Sequence, residues 1–346
     1  MVTMPPDGSV RCSVIIPTHN RATLLPRCIA SVRSSDLSDA EIIVADAGST
    51  DETPRVISEL DPAVNHVRLG VVAPGAARNA GAKLANGQYL AFLDDDDRWL
   101  PNGHESLLEA LEREPVAAVA FGDATDGSAE RGYTRISEAV GRSTLDNLPG
   151  QRINQDIRIL DRERFYRRLL EPGQPVFLGA TIIRRAAFES VGGFAENLPH
   201  VEDWDLMLRL ARRFQFCLSN TVCAVHEQSA GNASRDLSMM HRNALKCLFR
   251  HLQTERGLSV GQRQAIQRLI RGYYQSLGYA AFDRGDLATA RKAYRASLKH
   301  GGVQVRSAVY YLAASLPAGA VRRLRHIKQR VSSADLSARS MRRSSD

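Results

Sequence analysis

Four consecutive aspartates, Asp94 to Asp97, directly follow a short apolar run from Tyr89 to Leu93. The run has the length and composition of a buried strand. Adjacent carboxylates repel one another unless solvent or a cation screens them, and oxygen ligands suit a hard ion such as Mg2+ or Mn2+. A solvated acidic turn is the alternative. We favour a metal and diphosphate site, because open α/β sheets bind ligands at the carboxyl ends of strands.

Two further carboxylates, Glu202 and Asp203, begin a helical pattern whose buried side is rich in leucine. The positive end of a helix dipole stabilises acidic side chains in the first turn. Helix capping is therefore the default interpretation of both residues.

Short apolar runs alternate with helical patterns over the first third of the chain. Strands are expected at Ser13–Ile16, Glu41–Ala45, Val64–Leu69, Tyr89–Leu93 and Val116–Phe121. This alternation, with short connections, predicts an α/β fold in which helices cover both faces of a mostly parallel sheet.

Two helix starts and one irregular segment are also predicted. Ser49 or Thr50 is expected to cap one helix, and Pro101 to begin another. From Gly122 to Pro175 the sequence is polar, irregular and rich in arginine. Such a long segment is either a lid or binding loop, or a variable surface excursion.

Beyond Ser234 the sequence favours an all-helical extension. Residues 274–298 have the spacing of one tetratricopeptide unit, and a single unit cannot build a solenoid. The predicted organisation is a flexible N-terminus over 1–10, a main domain over 11–230, a helical extension over 231–331 and a disordered basic tail over 332–346.

Positive charge is concentrated at the C-terminus. The formal net charge is +8, and residues 301–346 contain nine basic and two acidic residues. Such a tail favours an anionic membrane surface, although a solvated terminal helix over Val321–Val331 fits equally well. Because no nucleic-acid recognition motif is present, no nucleic-acid partner is expected.

The expected location is cytoplasmic, with peripheral attachment at the inner face of the membrane. No apolar run approaches the roughly 18 residues of a membrane span, and the N-terminus lacks the apolar region of a signal peptide. Five cysteines without a Cys-x-x-Cys pair favour structural thiols in a reducing compartment.

Five short segments share their order and spacing with one enzyme family. They are Ser13-Val-Ile-Ile-Pro-Thr-His-Asn-Arg21, Ile42-Ile-Val-Ala-Asp-Ala-Gly-Ser-Thr-Asp51, Ala77-Arg-Asn-Ala-Gly81, Phe92-Leu-Asp-Asp-Asp-Asp97 and Glu202-Asp-Trp-Asp205. Together they resemble glycosyltransferase family 2, inverting enzymes with the GT-A (Rossmann-like) fold. The resemblance covers residues 11–230.

This resemblance implies a nucleotide-diphosphate sugar as donor, with a UDP-sugar favoured, and a saccharide or lipid-linked acceptor. The residues that match donor contacts are Pro17, Thr18, Asn20, Arg21, Asp46, Arg78, Asn79, Asp94, Asp95 and Asp96. Ala47 stands where the family often has a second aspartate, which leaves the nucleobase open.

The aspartate run corresponds to the family's Asp-x-Asp element and implies Mn2+ or Mg2+ as cofactor. By this match Asp96 and Asp97 approach the ion, which stabilises negative charge on the departing diphosphate. His226 stands where related folds place a metal or diphosphate ligand, and a structural histidine is the alternative.

The resemblance also implies a catalytic base. Asp203 matches the carboxylate that takes the proton of the acceptor hydroxyl as it attacks the anomeric carbon. Glu202 and Trp204 match the acceptor subsite. A single displacement inverts the anomeric centre, so the expected protein is an inverting, metal-dependent glycosyltransferase of surface polysaccharide or glycolipid synthesis.

Two other function classes are less well supported. A nucleotidyltransferase also holds a metal with aspartates, but it usually needs a Gly-rich basic loop that the segment after Ile16 lacks. A non-catalytic sugar-nucleotide-binding domain has no need of a base, whereas Asp203 is present.

Overall fold

The computed structural model describes residues 10–59, 62–128, 132–139, 148–227, 237–300, 304–317 and 319–321. The chain divides into two compact units, residues 1–235 and 236–346, which we call unit 1 and unit 2. The predicted tail over 332–346, and all but the last residue of the predicted flexible N-terminus, lie outside the described residues.

Strands and helices alternate along unit 1. In chain order its elements are β1 Cys12–Thr18, α1 Leu25–Arg33, β2 Glu41–Asp46, α2 Thr53–Glu59, β3 Val64–Arg68, α3 Pro74–Leu84, β4 Tyr89–Phe92, β5 Arg98–Trp99, α4 His104–Arg113, β6 Ala117–Ser128, β7 Gly132–Arg135, α5 Ile136–Ala139, β8 Gly150–Arg152, β9 Ile157–Leu160, α6 Arg162–Leu169, β10 Thr181–Arg184, α7 Arg185–Ser190, α8 Glu202–Arg213 and β11 Gln215–Glu227.

One sheet organises these elements, with the strand order β3-β2-β1-β4-β10-β6-β11-β9-β8. The first four strands of this order run parallel, and β11 runs parallel to β6. β10 is antiparallel to both of its neighbours. The predicted α/β class, with a mixed but mostly parallel central sheet, is confirmed.

The register of the central strands places the polar segments at one edge. Every residue of β1 and β4 is buried, as expected for parallel strands that are covered on both faces. Thr18 at the end of β1 lies opposite Asp46 at the end of β2. Phe92 at the end of β4 lies opposite Ile15. The segments that follow β1, β2 and β4 therefore meet at the same edge of the sheet.

The start of α2 differs from the prediction. The helix begins at Thr53 rather than near Ser49 or Thr50. The Asp51 carboxylate accepts a hydrogen bond from the Thr53 amide at 2.9 Å. The Ser49 hydroxyl is used elsewhere, because it accepts a hydrogen bond from the Asn20 amide at 2.9 Å. Side chains at the end of β2 thus delay the helix.

The start of α4 also differs. The helix begins at His104 rather than at Pro101, after Gly103 with φ 116°. The Asp36 carboxylate accepts hydrogen bonds from the amides of Gly103 (2.7 Å) and His104 (3.2 Å). A side chain distant in sequence supplies the cap, so local sequence does not reveal it.

The segment from Gly122 to Pro175 is more regular than predicted. β6 continues through it to Ser128, and β8, β9 and α6 follow. Asp161 caps α6 by accepting a hydrogen bond from the Arg164 amide at 2.9 Å. Polar residues extend β6 because β11 pairs with it over most of its length, a tertiary effect that overrides strand propensity.

Unit 2 is helical where it is described, with α9 Leu237–Thr254, α10 Val260–Arg284, α11 Leu287–Lys299 and α12 Val305–Ser315. A capping box begins α10, in which Ser259 accepts from the Gln262 amide (3.2 Å) and the Gln262 side chain accepts from the Ser259 amide (2.9 Å). Gly285, with φ 88°, caps the C-terminal end of α10 directly after Arg284.

The pair α10–α11 packs a glycine against an aromatic ring. A Cβ atom on Gly278 would lie 3.0 Å from the Tyr294 ring, so a larger residue would require this ring to shift by a few tenths of an ångström. The tetratricopeptide assignment stays a prediction. Among the described helices, none combines the length and apolar composition needed to cross a bilayer.

Candidate active site

The four aspartates after β4 contact four different segments of the chain. They form a tight turn in which the Asp97 amide donates to the Asp94 carbonyl oxygen at 3.0 Å. Their side chains contact separate partners: Asp94 with Arg78, Asp95 with Thr18, Asp96 with Arg21 and Asp97 with His226. The structure thus brings together most of the residues singled out in the sequence.

Two of these contacts join the run to the loop after β1. Thr18 Oγ1 donates to Asp95 Oδ2 at 2.6 Å, and Arg21 Nη1 donates to Asp96 Oδ2 at 3.2 Å. Burial raises the pKa of Asp95 to about 7, against the opposing effect of the Thr18 hydrogen bond. Between them Asn20 adopts φ 53°, a left-handed conformation that asparagine tolerates better than most residues.

A third contact joins the run to the end of β11. Asp97 is buried, and its Oδ1 accepts hydrogen bonds from His226 Nδ1 (3.0 Å) and the Glu227 amide (3.1 Å). The hydrogen bond that His226 donates to Asp97 raises the pKa of His226 to about 9. An ionised carboxylate only accepts, so Nδ1 carries a proton and Nε2 is the nitrogen that can contact a ligand.

Arg78 on α3 links the run to the first turn of α8. Its Nη2 donates to Asp94 Oδ1 at 2.5 Å, and its Nη1 donates to Glu202 Oε1 at 2.9 Å. Arg78 and Glu202 are both buried. Although burial lowers the pKa of Arg78, the charges of Asp94 and Glu202 outweigh it and raise this pKa above its ordinary value. We call this three-residue contact the Arg78 bridge.

Asp203 follows Glu202 on the same turn. It is partly buried, and its Oδ1 accepts a hydrogen bond from the Trp204 amide at 2.7 Å. Burial, and next the charge of Glu202, raise the pKa of Asp203 to about 6. Glu202 bonds to Arg78 rather than to the helix backbone, so the capping interpretation is wrong for Glu202. A carboxylate like Asp203, ionised at neutral pH with a raised pKa, suits a general base.

Asp46 offers an unpaired acceptor at the end of β2. It is 1% exposed, and its Oδ1 accepts from the Ser49 amide at 2.8 Å. Its Oδ2 has no hydrogen-bond partner among the described residues, and Arg68 Nε lies 3.9 Å away. Leaving such an oxygen buried is costly. The arrangement suits a ligand that brings an N–H donor.

Three predicted site residues make contacts within the fold. Asn79 donates to the Phe194 carbonyl oxygen (3.0 Å) and accepts from the Phe194 amide (2.9 Å). Trp204 Nε1 donates to the Leu169 carbonyl oxygen at 2.9 Å, which ties α8 to α6. Pro17 is buried within β1. Ligand contacts of these three residues stay predictions.

Sequence reasoning missed Glu227, which gathers positive and polar groups beside His226. Its carboxylate accepts from Arg98 Nε (3.0 Å) and from the Tyr133 hydroxyl (3.0 Å), and Arg27 Nη1 is 3.9 Å away. Adjacency to His226 could have drawn attention to Glu227. No local sequence feature marks Arg98, Tyr133 or Arg27, because these residues approach Glu227 only when distant strands and helices pack together.

The carboxylate oxygens of Asp94 to Asp97 are the kind of ligand that a hard divalent ion prefers. Within the described ranges, however, no group of three or more His, Cys, Asp or Glu side chains is arranged to hold a metal ion. Asp96 is paired with Arg21, and Asp97 with His226. The metal ligands therefore stay predictions.

Known proteins resemble this chain in sequence and fold. The Glycosyl transferase family 2 model matches residues 13–192, and a Glycosyltransferase like family 2 model matches residues 150–255. A Campylobacter jejuni enzyme, GalNAc(5)-diNAcBac-PP-undecaprenol beta-1,3-glucosyltransferase, is 35% identical over 104 residues, which are 29% of this chain and 34% of that protein. The first four curated relatives are covered over 28% to 63% of their length.

Two solved structures share the fold. S. aureus TarS 1-349 in complex with UDP-GlcNAc has a TM-score of 0.62 at 16% identity, over 94% of this chain and 92% of that one. Mannosyltransferase PcManGT from Pyrobaculum calidifontis, in complex with GDP-Man and Mn2+, has a TM-score of 0.52 at 15% identity, over 93% and 88%. The predicted GT-A-like fold is confirmed. Since the first family model spans more than half of the sequence, this chain belongs to glycosyltransferase family 2.

Proposed function

We propose that this protein is an inverting, metal-dependent glycosyltransferase that moves a sugar from a nucleotide diphosphate to an acceptor hydroxyl. The observation that carries the proposal is the Arg78 bridge. One buried guanidinium holds Asp94, on the proposed donor side, and Glu202, on the proposed acceptor side. Because Asp203 adjoins Glu202, the bridge also fixes the proposed base relative to the donor.

In this proposal Asp203 takes the proton of the acceptor hydroxyl as that oxygen attacks the anomeric carbon. The pKa of about 6 leaves Asp203 ionised at neutral pH and makes it a stronger proton acceptor than an ordinary aspartate. Glu202 and Trp204 border the acceptor. One displacement from the face opposite the leaving group inverts the anomeric centre.

We further propose that Asp96, Asp97 and His226 hold Mn2+ or Mg2+. Such an ion, when bound, stabilises the negative charge of the departing nucleoside diphosphate. The structural neighbour solved with Mn2+ supports a divalent ion. In the described conformation Arg21 forms an ion pair with Asp96. If the metal ion displaces Arg21 from this carboxylate, Arg21 can contact the diphosphate.

A UDP-sugar is the proposed donor. The unpaired Asp46 Oδ2 can accept the N–H of a uracil ring, and the neighbour in complex with UDP-GlcNAc supports this base. Guanine also presents an N–H, so GDP-sugars are the main competitors. Thr18 and Asn20 lie at the same edge of the sheet as Asp46. Ala47 stands where the family often has a second aspartate, and the acceptor oxygen of Asp46 remains.

The proposed acceptor is a saccharide or lipid-linked saccharide of surface polysaccharide or glycolipid synthesis. The name of the Campylobacter jejuni relative, which includes PP-undecaprenol, supports a lipid-linked form. We propose a cytoplasmic location with peripheral attachment to the inner face of the membrane. Residues 11–230 form the proposed catalytic domain, and residues 231–331 its helical extension.

A nucleotide-binding panel tests this function. Thermal shifts with UDP, GDP, CDP and dTDP, each with and without Mn2+, should show a metal-dependent shift that is largest for UDP. Asp97→Asn should abolish the metal dependence, whereas the exposed Asp39→Asn should behave as wild type. No shift with any nucleotide would overturn the proposal, and a larger shift with GDP would overturn the UDP assignment.

A further inference from the structure

Glu227, the last residue of β11, is held by side chains from three other elements. Its carboxylate accepts hydrogen bonds from Arg98 Nε on β5 and from the Tyr133 hydroxyl on β7, both at 3.0 Å. Arg27 on α1 adds a positive charge, with Nη1 3.9 Å from the carboxylate. Only 14% of the Glu227 side chain is exposed, so these groups replace much of the water that would otherwise solvate it. We call Glu227, Arg98 and Tyr133 the Glu227 cluster.

Gly127 allows Tyr133 to reach Glu227. β6 lies between β7 and β11, and Gly127 of β6 lies opposite Tyr133 on one side and Glu227 on the other. Two strand spacings, about 10 Å, therefore separate the backbones of Tyr133 and Glu227. Because glycine has no side chain, the tyrosine side chain can cross this position. A Cβ atom on Gly127 would overlap the carbonyl oxygen of Gly132, so no larger residue fits here.

The end of β11 has fewer strand neighbours than its middle. The backbone pairing of β5 with β11 ends at Val225, which lies opposite Arg98. Beyond that point β6 is the one described strand that pairs with β11. A strand end with few backbone partners opens more readily than the middle of a sheet. The hydrogen bond from Arg98 to Glu227 extends the contact between β5 and β11 to the last residue of β11, and so supports this end.

The same end of β11 supplies two donors to the Asp97 carboxylate. Asp97 Oδ1 accepts hydrogen bonds from His226 Nδ1 (3.0 Å) and from the Glu227 amide (3.1 Å). Asp97 is 1% exposed, so water does not readily replace a donor that moves away, and a buried acceptor without its donor is costly. A displacement of this strand end therefore changes both hydrogen bonds and the direction in which His226 Nε2 points. The Glu227 side chain acts on Asp97 through the backbone to which it belongs.

We propose that the Glu227 cluster positions Asp97 and His226 for the diphosphate of the donor. Its three members are positioning residues, because they act through the end of β11 and contact no reacting atom. Groups that orient a binding residue in this way are commonly needed for full affinity. The inference gives the hairpin of β6 and β7 a role in the site. The role toward the donor rests on the proposed function, whereas the positioning of Asp97 and His226 does not.

Nuclear magnetic resonance of the full-length protein with isotope-labelled histidine tests the positioning without nucleotide or metal. The His226 Nδ1 proton, held between the ring and a buried carboxylate, should give a low-field signal that exchanges slowly with water. The loss of this signal in His226→Gln assigns it. Tyr133→Phe should weaken the signal, and Glu227→Ala should abolish it, because the freed strand end exposes the proton to water. An unchanged signal in Glu227→Ala would overturn the proposal.

Titration of UDP with and without Mn2+ tests the role toward the donor. Glu227→Ala should weaken UDP binding in the presence of Mn2+ by roughly 10–100-fold, the usual range when an orienting group is lost. Tyr133→Phe, which removes one hydrogen bond, should weaken it by about threefold to tenfold. In a Glu227→Ala background Tyr133→Phe should have no further effect, because Tyr133 acts through Glu227. Fully additive losses would overturn this coupling.

Matched controls change the same residue types at the opposite edge of the sheet. Tyr89→Phe removes a hydroxyl that accepts a hydrogen bond from Arg184 at 3.3 Å. Arg11→Met breaks a partly buried ion pair with Glu105 at 2.9 Å, and Arg98→Met is its counterpart in the cluster. Both control proteins should keep the histidine signal and the UDP affinity of wild type. Equal losses in the control and cluster variants would mean general destabilisation and would overturn the proposal.

The two measurements separate this inference from the proposed function. A histidine signal that depends on Glu227, in a wild-type protein that binds no nucleotide, would retain the positioning and reject the proposed donor site. Wild-type UDP affinity in Glu227→Ala, in a protein whose UDP binding depends on Mn2+, would retain the proposed function and overturn the role of the Glu227 cluster toward the donor.

Discussion

The two units of this protein use charge in opposite ways. In unit 1 the acidic residues 94–97 converge at the edge of a sheet, and each side chain contacts a donor from another segment. In unit 2 three basic residues of α11, Lys292, Arg295 and Lys299, are exposed, and among the described residues none of them forms an ion pair with a carboxylate. Unit 1 thus compensates the charges of this run internally, whereas unit 2 leaves these basic residues exposed.

This difference has consequences for stability and for function. Charges that are paired inside a fold resist removal, because a single deletion leaves its partner buried and uncompensated. Exposed charges that share one sign add little to the fold and can slightly destabilise it. A change in the paired set should therefore reduce activity or stability, whereas a change in the exposed basic residues of α11 should alter stability only slightly.

The largest expected effect is that of Asp203→Asn on turnover. Asparagine keeps the shape but cannot take a proton, so turnover should fall by about two to four orders of magnitude. The dissociation constant for UDP with Mn2+ should stay within a few-fold, since the proposed position of Asp203 is on the acceptor side. Release of UDP under saturating donor and titration of UDP measure the two quantities. Loss of nucleotide binding would remove Asp203 from the acceptor side.

Next in size is the effect of breaking the Arg78 bridge. Arg78→Met leaves Glu202 buried without its cation, which should cost about 3–5 kcal/mol of unfolding free energy. Both tryptophans, Trp99 and Trp204, lie in unit 1, so fluorescence in a denaturant titration reports on this unit. Arg78→Met combined with Glu202→Gln should recover part of the loss.

The matched control for that measurement is Arg55→Met. Arg55 also contacts two carboxylates, Glu52 (2.6 Å) and Glu59 (2.7 Å), but all three side chains are exposed. The denaturation midpoint of the Arg55→Met protein should equal that of wild type, because solvent screens such exposed ion pairs. Equal losses for Arg55→Met and Arg78→Met would break the distinction between paired buried charge and exposed charge.

A smaller effect is expected on the pH dependence of turnover. Because burial and Glu202 raise the pKa of Asp203 to about 6, the base is ionised above that pH and protonated below it. Turnover should fall about tenfold for each pH unit below 6, rather than only near the ordinary aspartate pKa of about 4. In Glu202→Gln the fall should move to lower pH, because a negative neighbour is lost. A wild-type profile that stays flat down to about pH 4.5 would contradict the assignment.

How much of this could be predicted from sequence depends on the range of the contacts. The strand and helix alternation, the Asp94–Asp97 edge and the family resemblance follow from local patterns. The Arg78–Glu202 contact joins residues 124 positions apart, and no local pattern encodes it. For the same reason the cap of α4 by Asp36 was missed.

The smallest predicted effect belongs to the exposed basic residues of α11. Lys292 and Arg295 are like charges one helical turn apart, and repulsion between such neighbours costs about 0.2–0.5 kcal/mol. Glutamine has a similar helix propensity, so Lys292→Gln/Arg295→Gln should slightly raise the thermal midpoint of unit 2, measured by far-ultraviolet circular dichroism. Salt should abolish the difference, because it screens exposed charges. Lys299 is retained because a cation in the last turn favours the helix dipole. A lowered midpoint would mean that these charges are compensated within unit 2, and the contrast between the two units would then fail.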